Sequence, residues 1–247
     1  MKDNTLPNHR RLHPIARLNK AHGLTAGGLT PFTTIDFPGH LAAVIFCQGC
    51  PWRCTYCHNP HLLPARPQHN GAGTYNWSQL LQWMKNRQGL LDGIVFSGGE
   101  PLLQRSLPQA IAETRQLGFA VALHTAGAYP QRLAAVLPDL DWVGFDIKAP
   151  FDDYRRITGV DNGHKAQQAL LQLLHSATGY EIRCTVDPHL LDRQAIIKIA
   201  RQLAAMGVNR LVLQPCRSNA TSSQQHLPQN IIDAAKNHLP HIELRET

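Results

Sequence analysis

Four of the six cysteines in this 247-residue chain fall between positions 47 and 57. Cys50, Cys54 and Cys57 form the pattern C-x3-C-x2-C, and Cys47 precedes them with two residues between. Thiolates spaced this closely converge on one metal centre, because a short loop can wrap around it. Soft sulfur ligands select zinc or an iron–sulfur cluster. The sequence therefore predicts a metal centre on this loop.

The cysteine spacing bears on which metal centre this is. Structural zinc sites usually use two ligand pairs separated by a dozen or more residues. Bacterial ferredoxins use C-x2-C-x2-C-x3-C, which this loop does not match. Cys47 directly continues an apolar run and can point into the core. We predict a [4Fe–4S] cluster held by three cysteines, with structural zinc and a fully ligated cluster as alternatives. The open iron would bind a substrate's amino and carboxylate groups beside an electron source, as reductive cleavage of S-adenosylmethionine requires.

Polar and glycine-rich segments follow the other predicted strands. Because the carboxyl ends of parallel strands meet at one edge of a sheet, these segments are expected to lie near the cysteine loop. They are Ser97-Gly98-Gly99-Glu100-Pro101, His124-Thr125-Ala126-Gly127, Asp146-Ile147-Lys148, Asp187-Pro188 and Gln214-Pro215-Cys216-Arg217.

Short apolar runs alternate with amphipathic helical patterns along the chain, which predicts a parallel α/β sheet with right-handed crossovers. About six such units favour a partial, open βα barrel, and a flat doubly wound sheet is the alternative. The predicted strands are Leu41–Phe46, Gly93–Phe96, Phe119–Leu123, Trp142–Ile147, Glu181–Val186 and Arg210–Leu213. Helices are predicted over 78–88 with Ser78 as the cap, over 108–117, around 166–174, around 196–203 and over 228–237, and residues 27–39 are predicted to form a short hairpin or loop.

The cysteine motif, with Tyr56 before its last cysteine, resembles the signature of radical S-adenosylmethionine enzymes. The longer string from Gln48 to Pro60 is similar to that of glycyl-radical-enzyme activating enzymes. Within these, residues 27–46 look most like the activating proteins of anaerobic ribonucleoside-triphosphate reductase. The resemblance runs from Gly27 to Cys216. It implies a radical S-adenosylmethionine core over residues 22–247, preceded by a basic flexible tail over 1–21.

The resemblance implies a role for each matching residue. Cys50, Cys54 and Cys57 would hold the [4Fe–4S] cluster, and Tyr56 would contact the adenine of S-adenosylmethionine. The backbone of the glycine-rich segment would bind the methionine amino end, since glycines let the main chain approach closely. Lysine in the Asp-Ile-Lys segment would pair with the methionine carboxylate. The cofactor-binding candidates are Tyr56, Ser97, Gly98, Gly99, Glu100, Thr125, Asp146, Ile147 and Lys148.

The chain departs from the related pyruvate formate-lyase activators at two places. His124 stands where those proteins have an aspartate, and imidazole is a poor ligand for a hard cation. Arg217 stands where they have a histidine that contacts the nucleoside. Cys184 and Cys216 are isolated in the sequence and are expected to be buried in the core. No block of eight further cysteines follows, so no ferredoxin-like domain is expected.

The composition of the chain limits the class of protein, the location and the partners to be expected. An apolar fraction of 43% and a charged fraction of 17% are typical of a globular protein. No apolar run approaches the roughly 20 residues of a membrane-spanning helix, and no secretory signal is recognisable, so a cytoplasmic location is expected. The net charge of +7 lies partly in residues 1–21, which hold five Lys and Arg against one acid. No recognition motif accompanies that charge, which makes nucleic-acid binding the weaker alternative.

The predicted function is therefore the generation of a glycyl radical on a partner enzyme, with anaerobic ribonucleotide reductase as the expected partner. A flavodoxin or ferredoxin-type donor would supply the electron. A related enzyme acting on a small molecule, like 7-carboxy-7-deazaguanine synthase, is one alternative. A metal-bearing nucleic-acid-binding module is the other.

Overall fold

The computed structural model describes residues 23–66, 73–216 and 227–245. Over these residues a nine-stranded sheet carries seven helices. No helix in the described ranges is long and apolar enough to cross a bilayer. The basic tail predicted for residues 1–21 lies outside the described residues, as does Arg217.

Seven strands run parallel and follow one another across the sheet in chain order, as expected for segments linked by right-handed crossovers. Two antiparallel strands, β1 and β3, extend the sheet beyond β2, giving the order β3-β1-β2-β4-β5-β6-β7-β8-β9. The strands are β1 (Thr25–Thr33), β2 (Ala42–Cys47), β3 (Tyr75–Asn76), β4 (Gly93–Gly98), β5 (Ala120–Thr125), β6 (Trp142–Ile147), β7 (Gly179–Val186), β8 (Arg210–Pro215) and β9 (His241–Leu244).

All seven helices bury their apolar residues in one core, together with alternate side chains of the strands. Helices on a single face indicate barrel winding, because a doubly wound sheet has helices on both faces. In the described ranges no strand pairing joins β9 to β1 or β3. The predicted open βα barrel is therefore confirmed. The helices are α1 (Trp77–Lys85), α2 (Leu107–Gln116), α3 (Pro130–Val136), α4 (Tyr154–Thr158), α5 (Gly163–Leu174), α6 (Arg193–Ala205) and α7 (Gln229–Lys236).

The opposite face of the sheet, here called the inner face, has a small apolar cluster of its own. Phe37, from the turn between β1 and β2, packs there on Val44, Val95 and Ala122. It is 2% exposed, and its ring centroid lies 6.2 Å from that of Trp142. Phe37 therefore fills the inner face at the amino ends of the strands and leaves the carboxyl ends for the polar segments.

Several elements differ from the sequence-based expectations. Most of residues 27–39 lies in or beside strand β1, whose register shifts disturb the alternation that would have revealed it. Helix α1 begins at Trp77 rather than Ser78, because the Asn76 side chain accepts a hydrogen bond from the Gln79 amide and forms a capping box. Helix α3 and strand β9 were not predicted, and both are short.

Candidate functional site

The cysteine loop begins at the carboxyl end of β2 and is closed by hydrogen bonds to residues 61–64. The Gly49 and Cys50 amides donate to carbonyls of that segment at 2.7 and 3.2 Å. The buried Gln48 side chain donates to two more carbonyls there, at 3.2 and 2.8 Å. Buried donors and acceptors are thus paired across the base of the loop. The two ends of the loop are fixed to each other by its own sequence.

The three predicted cluster ligands are half-buried on this closed loop. Cys50 and Cys54 pack against the main core. Burial raises the pKa of the Cys50 thiol to about 12 and also raises the pKa of Cys54. Such thiols ionise when a bound metal supplies positive charge. The loop therefore presents soft ligands whose ionised form depends on a bound cation.

Cys47 lies apart from the other three cysteines. Its side chain is fully buried in the main core, and burial raises the pKa of its thiol. Among the described residues, no three His, Cys, Asp or Glu side chains are grouped about a single metal ion. An iron–sulfur cluster is a larger group in which each iron takes its own thiolate, so its ligands need not converge on one point.

The glycine-rich segment after β4 lies directly against the cysteine loop. The Gly99 amide donates to the Cys47 carbonyl at 3.0 Å, and the Glu100 amide donates to the Gly49 carbonyl at 2.9 Å. A Cβ on Gly99 would lie 2.2 Å from the Gly49 carbonyl oxygen. Gly98 has a φ of +113°, and a Cβ there would lie 2.4 Å from the Cys47 nitrogen. Only glycine permits this contact between the two backbones.

The Glu100 carboxylate is buried, and both of its oxygens accept hydrogen bonds from other residues of the protein. One oxygen accepts from the Thr125 hydroxyl at 2.7 Å and from the Leu102 amide at 3.2 Å, and the other accepts from the Ala126 amide at 3.1 Å. Burial raises its pKa, although these hydrogen bonds oppose the effect. The side chain thus joins the ends of β4 and β5, which leaves the backbone of Glu100 as its means of contacting a cofactor.

Two cations share one carboxylate at the ends of β6 and β7. Asp146 lies 2.9 Å from the Arg183 Nε and 3.5 Å from the Lys148 Nζ. Burial opposes ionisation of Asp146, but these cations outweigh it and lower its pKa to about 2. Burial lowers the pKa of Lys148, but Asp146 together with Cys54 and Cys184 more than offsets it, so the pKa is raised. The group carries a net charge of +1 and suits an anionic ligand.

Arg183 was not among the predicted site residues. Its guanidinium lies flat over Gly144, where a Cβ would come within 2.7 Å of it. The side chain is buried although it belongs to a strand predicted to be apolar. Its position inside a predicted buried strand could have indicated that it pairs with an acid, because buried arginines are usually paired.

His124 lies on the inner face beside the Arg183 guanidinium, at 3.5 Å from Nη1. Its Nε2 is 2.9 Å from the Asp36 carbonyl oxygen, which accepts a hydrogen bond from it. Burial, reinforced by Arg183, lowers the pKa of His124 to about 4. The imidazole is therefore neutral near pH 7 and ties β5 to the turn that carries Phe37.

The remaining predicted residues occupy different environments. Tyr56 is buried, and its hydroxyl has no hydrogen-bond partner among the described residues. Ile147 is buried in the main core, so only its backbone can contact a ligand. Cys184 and Cys216 are buried, as predicted, and the Cys216 sulfur lies 3.9 Å from Nε2 of His58.

The residues present fit an iron–sulfur cluster and a cofactor that carries a carboxylate group. Three cysteine ligands lie on one closed loop. The glycine-rich segment contacts that loop through its backbone. The group formed by Asp146, Lys148 and Arg183, which carries a net positive charge, lies at the ends of β6 and β7. The orphaned Tyr56 hydroxyl belongs to the same loop and lacks the partner that buried polar atoms normally have.

The family comparison agrees with this geometry. Residues 44–188, more than half of the chain, match the model of the radical SAM superfamily, and the chain belongs to that superfamily. The [4Fe–4S] cluster and S-adenosylmethionine expected from the sequence are the cofactors of this family. The matched range contains the cysteine loop, the glycine-rich segment and the Asp146 group.

Related proteins carry the names of activating enzymes. A protein of Methanocaldococcus jannaschii named as a glycyl-radical enzyme activating enzyme is 30% identical over 70% of this chain and 73% of its own length. The pyruvate formate-lyase-activating enzyme of Clostridium pasteurianum is 33% identical over 58% of each chain. That match covers less than two thirds of the clostridial enzyme.

Solved structures share the fold. QueE from Escherichia coli superposes with a TM-score of 0.58, at 19% identity, over 90% of this chain and 93% of its own. SuiB from Streptococcus suis bound to S-adenosylmethionine superposes with a TM-score of 0.59, at 8% identity, over 81% and 48%. At these identities the likeness shows the fold alone.

Proposed function

We propose that this protein is an activating enzyme that generates a glycyl radical on a partner enzyme, with anaerobic ribonucleoside-triphosphate reductase as the partner. The observation that carries the proposal is the direct backbone contact between the three-cysteine loop and the glycine-rich segment. The names of the relatives at about 30% identity support the activating class. The choice of reductase rests on the resemblance of residues 27–46.

Cys50, Cys54 and Cys57 would hold the cluster and leave one iron for S-adenosylmethionine. Lys148 would pair with the methionine carboxylate, as the family resemblance implies, and its Nζ lies beside Asp146, which it shares with Arg183. When bound, the cluster would supply one electron for the reductive cleavage of S-adenosylmethionine to methionine and a 5′-deoxyadenosyl radical, and the Cα hydrogen of the partner's glycine would be the atom abstracted.

The other proposed cofactor contacts come from both loops. The backbone of residues 97–100 would bind the methionine amino group, and Tyr56 would lie against the adenine. Thr125, through Glu100, would keep the glycine-rich segment in place. The protein's contribution is to bind and orient the cofactor and to exclude water around it.

Within the described ranges β9 does not pair with β1 or β3, and an opening there would give a peptide a way to reach the inner face. Phe37 fills the amino end of that face, so a chain entering through that opening would meet the carboxyl ends of the strands. An extended loop of the partner enzyme that carries the target glycine would need only such an opening to enter. A flavodoxin or ferredoxin-type protein is the proposed electron donor.

Anaerobic reconstitution followed by two assays tests the proposal. We expect dithionite to support formation of 5′-deoxyadenosine. Incubation with anaerobic ribonucleotide reductase is expected to give the doublet of a glycyl radical in electron paramagnetic resonance. Alanine at Cys54 should abolish both signals, whereas alanine at the buried Cys184 should leave deoxyadenosine formation in place. Deoxyadenosine without a doublet would contradict the proposed partner, and a protein without deoxyadenosine formation would contradict the enzyme class.

Family membership favours an enzyme over the metal-bearing nucleic-acid module. The small-molecule alternative has structural likeness behind it, and that likeness concerns the fold alone. Activation of a partner enzyme is therefore the function that the relatives and the site support best.

A further inference from the structure

The cysteine loop lies in a long stretch of chain without acidic residues. Residues 37–91 contain no Asp or Glu but four Lys and Arg, and two of these, Arg53 and Arg66, flank the loop. Both are exposed. The segment that carries the loop therefore brings positive charge and no acid of its own to this part of the surface.

Helix α4 adds to the same face. The Arg53 amide donates to the Thr158 carbonyl at 2.9 Å, so the end of α4 is hydrogen-bonded to the loop. That helix carries Arg155 and Arg156, both exposed. Asp153 lies 3.7 Å from Arg156 and offsets its charge. The excess positive charge therefore comes from Arg53, Arg66 and Arg155.

The two parts of the face are held in place by short contacts. The Arg53 guanidinium donates to the carbonyls of Cys50 and Trp52 at 2.9 and 2.8 Å, which fixes one cation over the loop. Residue 65 reaches within 3.4 Å of the position of a Cβ on Gly49, which places Arg66 beside the start of the loop. Arg53 thus lies on the loop, Arg66 beside its start, and the end of α4 is hydrogen-bonded to it.

We propose that this basic face, formed by Arg53, Arg66, Arg155 and Arg156, is the docking surface for an acidic one-electron carrier protein. The inference rests on the proposed function, because a cluster that cleaves S-adenosylmethionine needs an external electron. Electron-transfer complexes are small and transient, and complementary charge mainly raises their association rate. An excess of three positive charges on and beside one loop suits such a complex, whereas nucleic-acid binding usually uses a longer basic stripe.

The test compares two double variants with the same change in charge. R66E/R155E removes two cations of the basic face and leaves Arg53, which holds the loop, intact. K85E/K236E makes the same change in the last turns of α1 and α7. Those turns lie near the amino ends of the strands, away from the loop, because the helices run back along the parallel strands. Stopped-flow absorbance follows cluster reduction by a reduced flavodoxin of net negative charge at low and high salt.

We expect R66E/R155E to slow reduction by flavodoxin about tenfold or more at low salt and to flatten the salt dependence, since steering acts through screened charges. K85E/K236E should stay within about twofold of the parent protein. Deoxyadenosine formation with dithionite should be unchanged in both variants.

Equal slowing by the two variants, or no slowing by R66E/R155E, would overturn the proposal. So would an R66E/R155E protein that loses binding to an oligonucleotide while its reduction by flavodoxin is unaffected. Failure of the proposed function would show separately, as absence of deoxyadenosine with dithionite in a protein whose cluster flavodoxin still reduces.

Discussion

Replacing Gly99 with alanine tests whether backbone contact between the two loops is what makes the site. The added Cβ would lie 2.2 Å from the Gly49 carbonyl oxygen and 2.8 Å from its carbon, and neither is the end of a flexible side chain. The loops would have to separate by about 1 Å to restore van der Waals contact. That movement strains the hydrogen bond from the Glu100 amide to the Gly49 carbonyl.

The magnitude follows from two contributions. Overpacking a rigid contact costs about 1–3 kcal/mol, and a weakened buried hydrogen bond adds about 1 kcal/mol. The unfolding free energy should therefore fall by roughly 2–4 kcal/mol. A displacement of about 1 Å at a reacting centre lowers catalytic rates about 100-fold, so deoxyadenosine formation should fall by that order.

Gly28 provides the matched control, because a Cβ there meets only Phe46 side-chain atoms, at 3.4 Å or more. The assays are deoxyadenosine formation with dithionite, iron and sulfide content, and chemical denaturation of both alanine variants under anaerobic conditions. The reasoning is refuted if the Gly99 variant keeps a rate within about threefold of the Gly28 variant, or if both lose the same stability.

Three further predictions concern the neighbouring polar groups. Asp146→Asn should lower stability by roughly 3 kcal/mol, because it leaves the buried Arg183 and the largely buried Lys148 without their carboxylate. It should weaken S-adenosylmethionine binding in isothermal titration, because Lys148 loses the group that holds it in position. His124, with its pKa held near 4 against 6.5 in the unfolded chain, binds fewer protons when folded, so stability is full above pH 6.5 and declines toward pH 4. In urea unfolding, the unfolding free energy should be roughly 2 kcal/mol lower at pH 5 than at pH 6.5, and this difference should disappear in His124→Asn. The same pH dependence in the variant as in the parent protein would contradict this. Gln48→Leu removes two hydrogen bonds across the base of the cysteine loop and should speed iron release to a chelator severalfold while the fold persists, as circular dichroism would show.

Much of the fold was predictable because the parallel strands are buried on both faces. Such strands are near-continuous apolar runs, and all six that were predicted are present. Strand β1 was missed because glycines and register shifts break its alternation. The start of α1 depends on which side chain caps the free amides of the first turn, and the residue types of Asn76 and Ser78 permit either.

The order of strands along the chain was enough to predict which loops form the site. Strand ends meet at one edge, so the sequence alone predicted the proximity of the cysteine loop and the glycine-rich segment, which hydrogen bonds confirm. The hydrogen bonds of the Glu100 carboxylate were not predictable, because their donors, Thr125 and Ala126, belong to the end of the next strand and the loop after it. Arg183 was missed for the same reason, since its partner Asp146 is distant in sequence.

The aromatic ring of Phe37 has a consequence for how the enzyme could be redesigned. It is supplied by a turn outside the parallel strands, so its size can change without altering the sheet or the cysteine ligands. A smaller residue at this position would leave unfilled space on the inner face at the amino ends of the strands. Variation at one turn position would then change the depth of that face, while Cys50, Cys54 and Cys57 remained in place.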